Sequence, residues 1–221
     1  MELCELLKTV DHTLLRPDAG WEEIRTLCDD AVAYQTASIC IAPAYVQQAA
    51  RYLDGRLPVC TVVGFPNGYS TSSAKEFEAK EAIAMGAAEI DMVANIGWIK
   101  DHRYDSLLEE IRRLRDACGS RILKVIIETC LLTDEEKISM CQVVTQAGAD
   151  FIKTSTGFST GGATPHDVKL LADQVGPGVQ VKAAGGIRTL EDACTLLDLG
   201  ASRLGTSRIV QLVKKQHPNG L

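Results

Sequence analysis

The chain has 221 residues, of which 46% are hydrophobic, 24% charged and 5% aromatic, with a formal net charge of −6. This describes a globular protein large enough for one substantial core, and one domain is the simplest count. Lysine and arginine are dispersed among acidic residues, and no apolar run approaches the roughly 20 residues that span a bilayer, which argues against a nucleic-acid surface and a membrane anchor.

The opening Met1-Glu2-Leu3-Cys4-Glu5 lacks the basic-then-apolar order of a secretory signal, so a cytoplasmic protein is expected. Strand-like runs then alternate with amphipathic stretches of about 10 to 15 residues. Eight strands are predicted: Val10 to Leu15, Ser38 to Ala42, Val59 to Phe65, Glu89 to Asn95, Ile122 to Thr129, Asp150 to Thr156, Val179 to Ala184 and Arg203 to Ser207. Helix starts fall between them. Ser73-x-x-Glu76 and Thr133-x-x-Glu136 have the form of capping boxes, Thr164-Pro165 sets an N-cap before a first-turn proline, and Thr189-x-x-Asp192 resembles a box. Such alternation predicts βα units on a parallel sheet. Eight units of roughly 27 residues favour a closed (β/α)8 TIM barrel over a doubly wound open sheet, which usually has fewer strands and a topological switch. Residues 1–213 are therefore assigned to a single α/β barrel domain, and residues 214–221 to a loose C-terminal tail.

The stretch around which the chemistry is arranged is Asp150-Phe151-Ile152-Lys153-Thr154-Ser155-Thr156-Gly157. A lysine in a short apolar strand ordinarily lies at an edge with its ammonium in water. Against that reading, Lys124 and Lys182 sit 29 residues before and after Lys153, so the same residue type recurs once per structural unit. Gly-Ala dipeptides at Gly86, Gly148 and Gly200 each end a helix ahead of a strand, and five residues after each glycine come Asp91, Lys153 and Gly205. These three are predicted to share height and facing, which puts a carboxylate and an amine in one layer. Side chains converge at the carboxyl ends of a parallel barrel, where Lys124, Lys153 and Lys182 are expected with Asp11, Asp91 and Glu128 as counter-charges. Alternatively, Asp91 bonds nearby backbone amides and Lys124 is only a salt-bridge partner.

An amine attacks a carbonyl only when uncharged, and a lysine at its reference pKa of about 10.4 is uncharged in roughly one molecule in 2,500 at pH 7. Burial and an adjacent ammonium favour the uncharged form. Two neighbouring lysines then divide the work: one forms a Schiff base, the other keeps it uncharged, and a carboxylate such as Asp91 carries protons as the carbinolamine loses water. Spacing leaves open which lysine attacks. Glycine-rich strand ends at Gly157–Gly162, Gly185–Arg188 and Gly205–Arg208 offer backbone amides to an anion, and barrels often hold phosphate after strands seven and eight. Tight-turn geometry is the alternative. With the lysines they suggest a phosphorylated carbonyl substrate. His12, His102, His166 and His217 have no ligand spacing, and neither a dinucleotide fingerprint nor a P-loop occurs, so no metal and no organic cofactor are expected. The eight cysteines form no CxxC pair and read as reduced core residues. Cys40 is singled out, because its strand end faces the expected site.

Several stretches together are similar to one family. They are Asp11-His12-Thr13-Leu14-Leu15, Ser38-Ile39-Cys40-Ile41, Thr61-Val62-Val63-Gly64-Phe65-Pro66, Glu89-Ile90-Asp91-Met92-Val93, Leu123-Lys124-Val125-Ile126-Ile127-Glu128-Thr129, Phe151 to Phe158 and Val181 to Arg188. The chain resembles the deoxyribose-phosphate aldolases, class I aldolases that work through a lysine Schiff base. The resemblance implies a (β/α)8 barrel and reversible cleavage of 2-deoxy-D-ribose 5-phosphate to acetaldehyde and D-glyceraldehyde 3-phosphate, without metal or organic cofactor, in deoxyribose phosphate catabolism. It implies that Lys153 forms the Schiff base, that Lys182 perturbs it and transfers protons, and that Asp91 is the proton donor and acceptor. Asp11, Thr13, Cys40 and Lys124 take supporting places, and Thr156, Gly157, Gly185, Gly186, Gly205, Ser207 and Arg208 surround the substrate phosphate. Arg208 departs from the small residues more often found there. Expected partners are small-molecule phosphosugars and aldehydes and, in a homo-oligomer, further copies of the chain. Competing readings are another Schiff-base phosphosugar aldolase or transaldolase-like enzyme, and a non-catalytic phosphosugar-binding barrel.

Overall fold

In the computed structural model, which describes residues 2–218, eight parallel strands close on themselves in chain order. They are β1 (Val10–Leu14), β2 (Ser38–Ile41), β3 (Val59–Val63), β4 (Glu89–Val93), β5 (Ile122–Ile126), β6 (Phe151–Lys153), β7 (Gln180–Ala184) and β8 (Ala201–Thr206). The helices are α1 (Leu3–Leu7), α2 (Trp21–Ala33), α3 (Val46–Leu53), α4 (Ser72–Ala84), α5 (Ile96–Lys100), α6 (Tyr104–Cys118), α7 (Asp134–Ala147), α8 (Pro165–Gln174), α9 (Leu190–Asp198) and α10 (Ile209–Gln216). The predicted TIM barrel is thus the observed fold, and β8 closes it on β1 through Asp11 opposite Gly205. Among the described residues no helix is long and apolar enough to cross a membrane.

Several strands end earlier than predicted, and at β6 a side chain joins the ladder. Past Lys153, Thr154 Oγ1 accepts from the Ala184 amide at 3.1 Å and donates to the Ala184 carbonyl at 3.2 Å. The capping boxes at Thr133 and Thr189 form, and Thr164 caps α8 with Pro165 in its first turn. The box predicted at Ser73 does not form. Thr71 is the N-cap of α4, accepting from the Ala74 amide at 3.3 Å, and Glu76 pairs with Lys80 and Arg113 instead. The tail also differs from expectation, since α10 continues to Gln216. Ile209, Val210 and Val213 are buried, and Lys214 Nζ lies 2.6 Å from Asp30. The expected loose stretch at 219–221 lies outside the described residues.

The main apolar core lies outside the sheet. Outward-facing Ile39, Ile90, Met92, Leu123, Val125, Ile152, Val181 and Leu204 pack against Ile111, Leu114, Met140, Val144 and Leu171 of the surrounding helices. Each such fully buried side chain contributes roughly 1.5–3 kcal/mol.

The interior is polar, and its layering positions the site. Along the ladder Asp91 pairs with Lys124 and Lys124 with Phe151, so hydrogen-bond register places Phe151, not Lys153, across from Asp91. Strands in a barrel are tilted, however, and a level ring advances about two residues for every second strand. On that stagger Ser38, Glu89, Phe151 and Arg203 form the lowest ring, then Asp11, Cys60, Lys124 and Lys182 the next, and Cys40, Asp91, Lys153 and Gly205 the third, towards the carboxyl ends. Asp91, Lys153 and Gly205 do share one level, as the glycine spacing predicts.

Candidate active site

Four cations and three carboxylates from the three rings meet inside the barrel. Lys153 Nζ and Lys182 Nζ each lie 2.7 Å from the same atom, Asp91 Oδ2, while Lys124 Nζ lies 2.7 Å from Asp91 Oδ1. Lys182 also pairs with Asp11 Oδ2 at 2.5 Å, Lys124 with Glu89 at 2.6 Å, and Arg203 with Asp11 Oδ1 at 2.6 Å. Ser38 Oγ donates to Asp11 Oδ1 at 2.7 Å. Below them the Phe151 ring faces Lys124 and Arg203, with centroid distances of 6.0 and 5.5 Å. Lys124 and Lys182 have no solvent exposure, and Lys153 only 3%. The edge-strand reading of Lys153 is thereby excluded.

Burial would raise the Asp91 carboxyl, but the ammonium groups of Lys124, Lys153 and Lys182 outweigh it and hold the group well below the ordinary range. Asp11 is lowered in the same way, by Lys182, Lys124 and Arg203 against burial. Burial disfavours charge on Lys182 and Lys124, yet Asp11 and Asp91 raise the first, and Asp91 leads the groups that raise the second, so both stay ammonium. Asp11, Glu89 and Asp91 supply three negative charges against the four positive charges of Lys124, Lys153, Lys182 and Arg203. The cluster therefore has one proton more than neutrality needs. Lys153 is the lysine with a single carboxylate partner, and it is also the one that lines the cavity.

That cavity, of about 460 Å³, runs from Lys153 and Thr13 past Thr156, Gly157 and Phe158 to Gly185, Gly186, Gly205, Ser207 and Arg208. Its far wall is made of backbone. Gly185 has φ +80°, and a Cβ on Gly162 would lie 2.4 Å from the Gly185 carbonyl oxygen, so the loops after β6 and β7 approach as closely as they do only because both positions are glycine. The Ala163 amide donates across this contact to the carbonyls of Ala184 and Gly185, both at 3.0 Å. Every phosphate-region residue implied by resemblance lines this one cavity.

The supporting residues separate. Thr13 lines the mouth, its Oγ1 donating to the Asp11 carbonyl at 2.7 Å. Cys40 is fully buried beside Cys60 and does not line the cavity. Glu128, expected among the counter-charges, is not one of them. It turns left-handed at φ 54° just past β5 and accepts from the Thr156 amide at 3.3 Å and Thr156 Oγ1 at 2.5 Å, tying down the loop that carries Gly157. Glu89, Arg203, Phe151 and Cys60 were not anticipated. Strand alternation carries a signal for three of them, since Glu89 lies two residues before Asp91, Phe151 two before Lys153 and Arg203 two before Gly205. Metal-type donor groups exist at Cys40, Cys60 and Asp91 and at Asp11, Cys60 and Glu89. Lysine ammonium groups already occupy their carboxylates, so the donor sets are filled by internal cations.

The comparisons agree with one another. A family model described as DeoC/LacD family aldolase matches residues 6–208. The deoxyribose-phosphate aldolases of Streptococcus pyogenes serotype M28 and Streptococcus agalactiae serotype Ia are each 60% identical over 216 residues, covering 98% of this chain and 97% of the relative. A solved deoxyribose phosphate aldolase from Aeropyrum pernix, described as having a unique tetrameric structure, superposes with a TM-score of 0.90 at 32% identity, over 97% of this chain and 92% of that one.

Proposed function

The chain belongs to the DeoC/LacD family of aldolases, and from that premise we propose that it cleaves 2-deoxy-D-ribose 5-phosphate reversibly to acetaldehyde and D-glyceraldehyde 3-phosphate through a Schiff base on Lys153. The observation that carries the proposal is the sharing of Asp91 Oδ2 by Lys153 and Lys182. Of the surplus protons the cluster could shed, the one on Lys153 leaves the remaining three cations balanced by three carboxylates, and it bares an amine at the cavity.

Lys153 Nζ attacks the open-chain aldehyde carbon. Asp91 accepts the proton that the attacking nitrogen sheds and passes it to the carbonyl oxygen, giving the carbinolamine; a second proton, equal to the one Lys153 gave up to become an amine, then converts the hydroxyl to water, which leaves. In the iminium so formed, the bond between the second and third sugar carbons breaks as the third-carbon hydroxyl loses its proton. The two-carbon fragment remains as an enamine on Lys153, is protonated at carbon, and is released by water. Lys182 remains an ammonium throughout, keeping Asp91 charged and Lys153 relieved of its proton. Lys124 and Arg203 fix Asp91 and Asp11 from below. The phosphate sits against the backbone of Gly157, Gly185 and Gly186 with Ser207 and Arg208, in the part of the cavity beyond Gly205, which shares the level of Lys153.

Borohydride added with substrate is expected to inactivate the protein and leave a reduced two-carbon adduct that peptide mapping places on Lys153. Lys153→Arg, which keeps the charge but forms no imine, should bind the phosphosugar without turning it over. An adduct on Lys182, or turnover by Lys153→Arg, would refute the assignment. Binding without an adduct in the natural chain would leave a phosphosugar-binding barrel.

A further inference from the structure

Two thiols face each other inside the barrel. Cys40 and Cys60 are direct partners in the β2–β3 ladder, both are fully buried, and their sulfurs lie within 4.8 Å of one another and of an Asp91 oxygen. Adjacent strands run about 4.8 Å apart, inside the roughly 4.4–6.8 Å between Cα atoms that a disulfide tolerates. We propose that Cys40 and Cys60 are a modification site, a dithiol that a peroxide converts to a reversible disulfide within the barrel, switching off the lysine–carboxylate cluster.

The pair has an attacking and a resolving member. The neighbouring Cys60 does most to hold the Cys40 thiol below its ordinary range; burial and Asp91 oppose the shift, while the ammonium groups of Lys182 and Lys153 favour it. Burial pushes Cys60 well above that range. The Cys40 thiolate attacks one peroxide oxygen, the O–O bond breaks, and a sulfenic acid forms on Cys40 as the departing hydroxide takes up a proton and becomes water. The Cys60 sulfur then displaces hydroxide from the sulfenic sulfur, and its own proton leaves with that hydroxide as a second water. Two thiols lose two electrons and the peroxide gains two. Asp91 Oδ1, 3.1 Å from the Cys60 sulfur, is placed to relay the second proton. Cys40 belongs to the same ring as Lys153, the residue that lines the cavity.

The disulfide would act on the centre of the cluster. Cys60 now donates to Asp91 Oδ1 and accepts from Lys124 Nζ at 3.3 Å. Joining its sulfur to Cys40 removes the donor and draws the sulfur away from both. Loss of turnover rests on the role proposed above for Asp91 and Lys153, whereas the cross-link itself does not.

The test uses the intact protein and hydrogen peroxide, followed by tryptic digestion without reductant. The expected product joins Thr26–Arg51 to Leu57–Lys75 and is two hydrogens lighter than the separate peptides. Fragmentation must place the bond on Cys40 and not on Cys28, which shares the first peptide. Turnover should fall in step with the cross-link and return with dithiothreitol. Cys60→Ala and Cys60→Ser, each measured against its own untreated activity, should give no cross-link and, under prolonged peroxide, a loss through Cys40 sulfinic acid that dithiothreitol does not restore. If neither variant folds, the peptide map of the natural chain decides alone. Inactivation with Cys40 and Cys60 still reduced overturns the site, and a complete cross-link with full turnover overturns the switch. A missing borohydride adduct on Lys153 would refute the aldolase mechanism and leave the peptide map unaffected.

Discussion

Lys182→Met separates a charge-balancing lysine from one that merely fills space. Lys182 and Lys153 each sit 2.7 Å from Asp91 Oδ2, so their nitrogens are at most about 5.4 Å apart, and at an effective dielectric of about 20 two like charges at that distance repel by about 3 kcal/mol, equivalent to about two pH units. Methionine keeps most of the stem and removes the charge. Three carboxylates would then face three cations, and a protonated Lys153 would be needed to complete the balance. The acid limb of kcat/KM against pH is therefore expected to move up by about two units, with turnover at neutral pH down about 100-fold and partly recovered at high pH. Breaking a buried pair can cost about 3–5 kcal/mol, so circular dichroism at the assay temperature must show a folded protein. A loss equal at every pH, with the acid limb unmoved, would refute the charge argument, as would full activity at neutral pH.

Arg208→Ser should raise KM for the phosphorylated substrate by roughly 10- to 100-fold, the worth of one charge-assisted hydrogen bond, and leave unphosphorylated deoxyribose unaffected; equal effects on both would place Arg208 away from the phosphate. Gly205→Ala puts a Cβ 3.0 Å from Ala184 Cβ and 3.1 Å from Lys182 Cε, so kcat is expected to fall by about 10- to 100-fold through displacement of Lys182, with a crystal structure of the variant as the check on where the lysine moves. Burial holds His12 down to about 4 from an ordinary 6.5. As pH falls the unfolded chain takes up this proton first, near 6.5, and the folded chain only near 4, so stability on the order of 3 kcal/mol is intact above the first value and lost between the two. His12→Gln should flatten that part of the pH dependence in urea melts, and an unchanged slope would remove His12 from the account.

The lysines were legible in the sequence because a fixed repeat carries phase information. Spacings of 29 residues and a constant offset from helix-ending glycines put Lys124, Lys153, Lys182 and Asp91 on equivalent parts of their units. Glu128 was misplaced for the opposite reason. Counting by twos from Lys124 makes Ile126 and Glu128 inward only if β5 continues, but the strand ends at Ile126 and Glu128 turns left-handed. Glu89 and Arg203 stand at the starts of the strands predicted from sequence, where a charge reads as a boundary, and only closure of the barrel with its stagger shows them beneath Asp91 and Gly205. At α4 two caps competed within three residues. Thr71 won where Lys75 is buried against Glu110, 3.0 Å away, and donates to the Val93 carbonyl at 2.8 Å, a contact invisible in the local sequence.

The same charges that build the site explain why stability has to come from elsewhere. A barrel interior is ordinarily filled by branched apolar side chains; here its apolar members include Phe151 and a small group around Cys40, Cys60 and Val62, and the large core lies between sheet and helices. Removing several ionic groups from water costs free energy that their mutual attraction roughly recovers, so the cluster adds little net stability. What it does provide is a fixed excess of one proton beside a cavity. That excess depends on every member, because deleting any carboxylate enlarges it and deleting any cation abolishes it. Asp11, Glu89, Lys124 and Arg203 never need to touch the sugar to set the protonation of the residue that does.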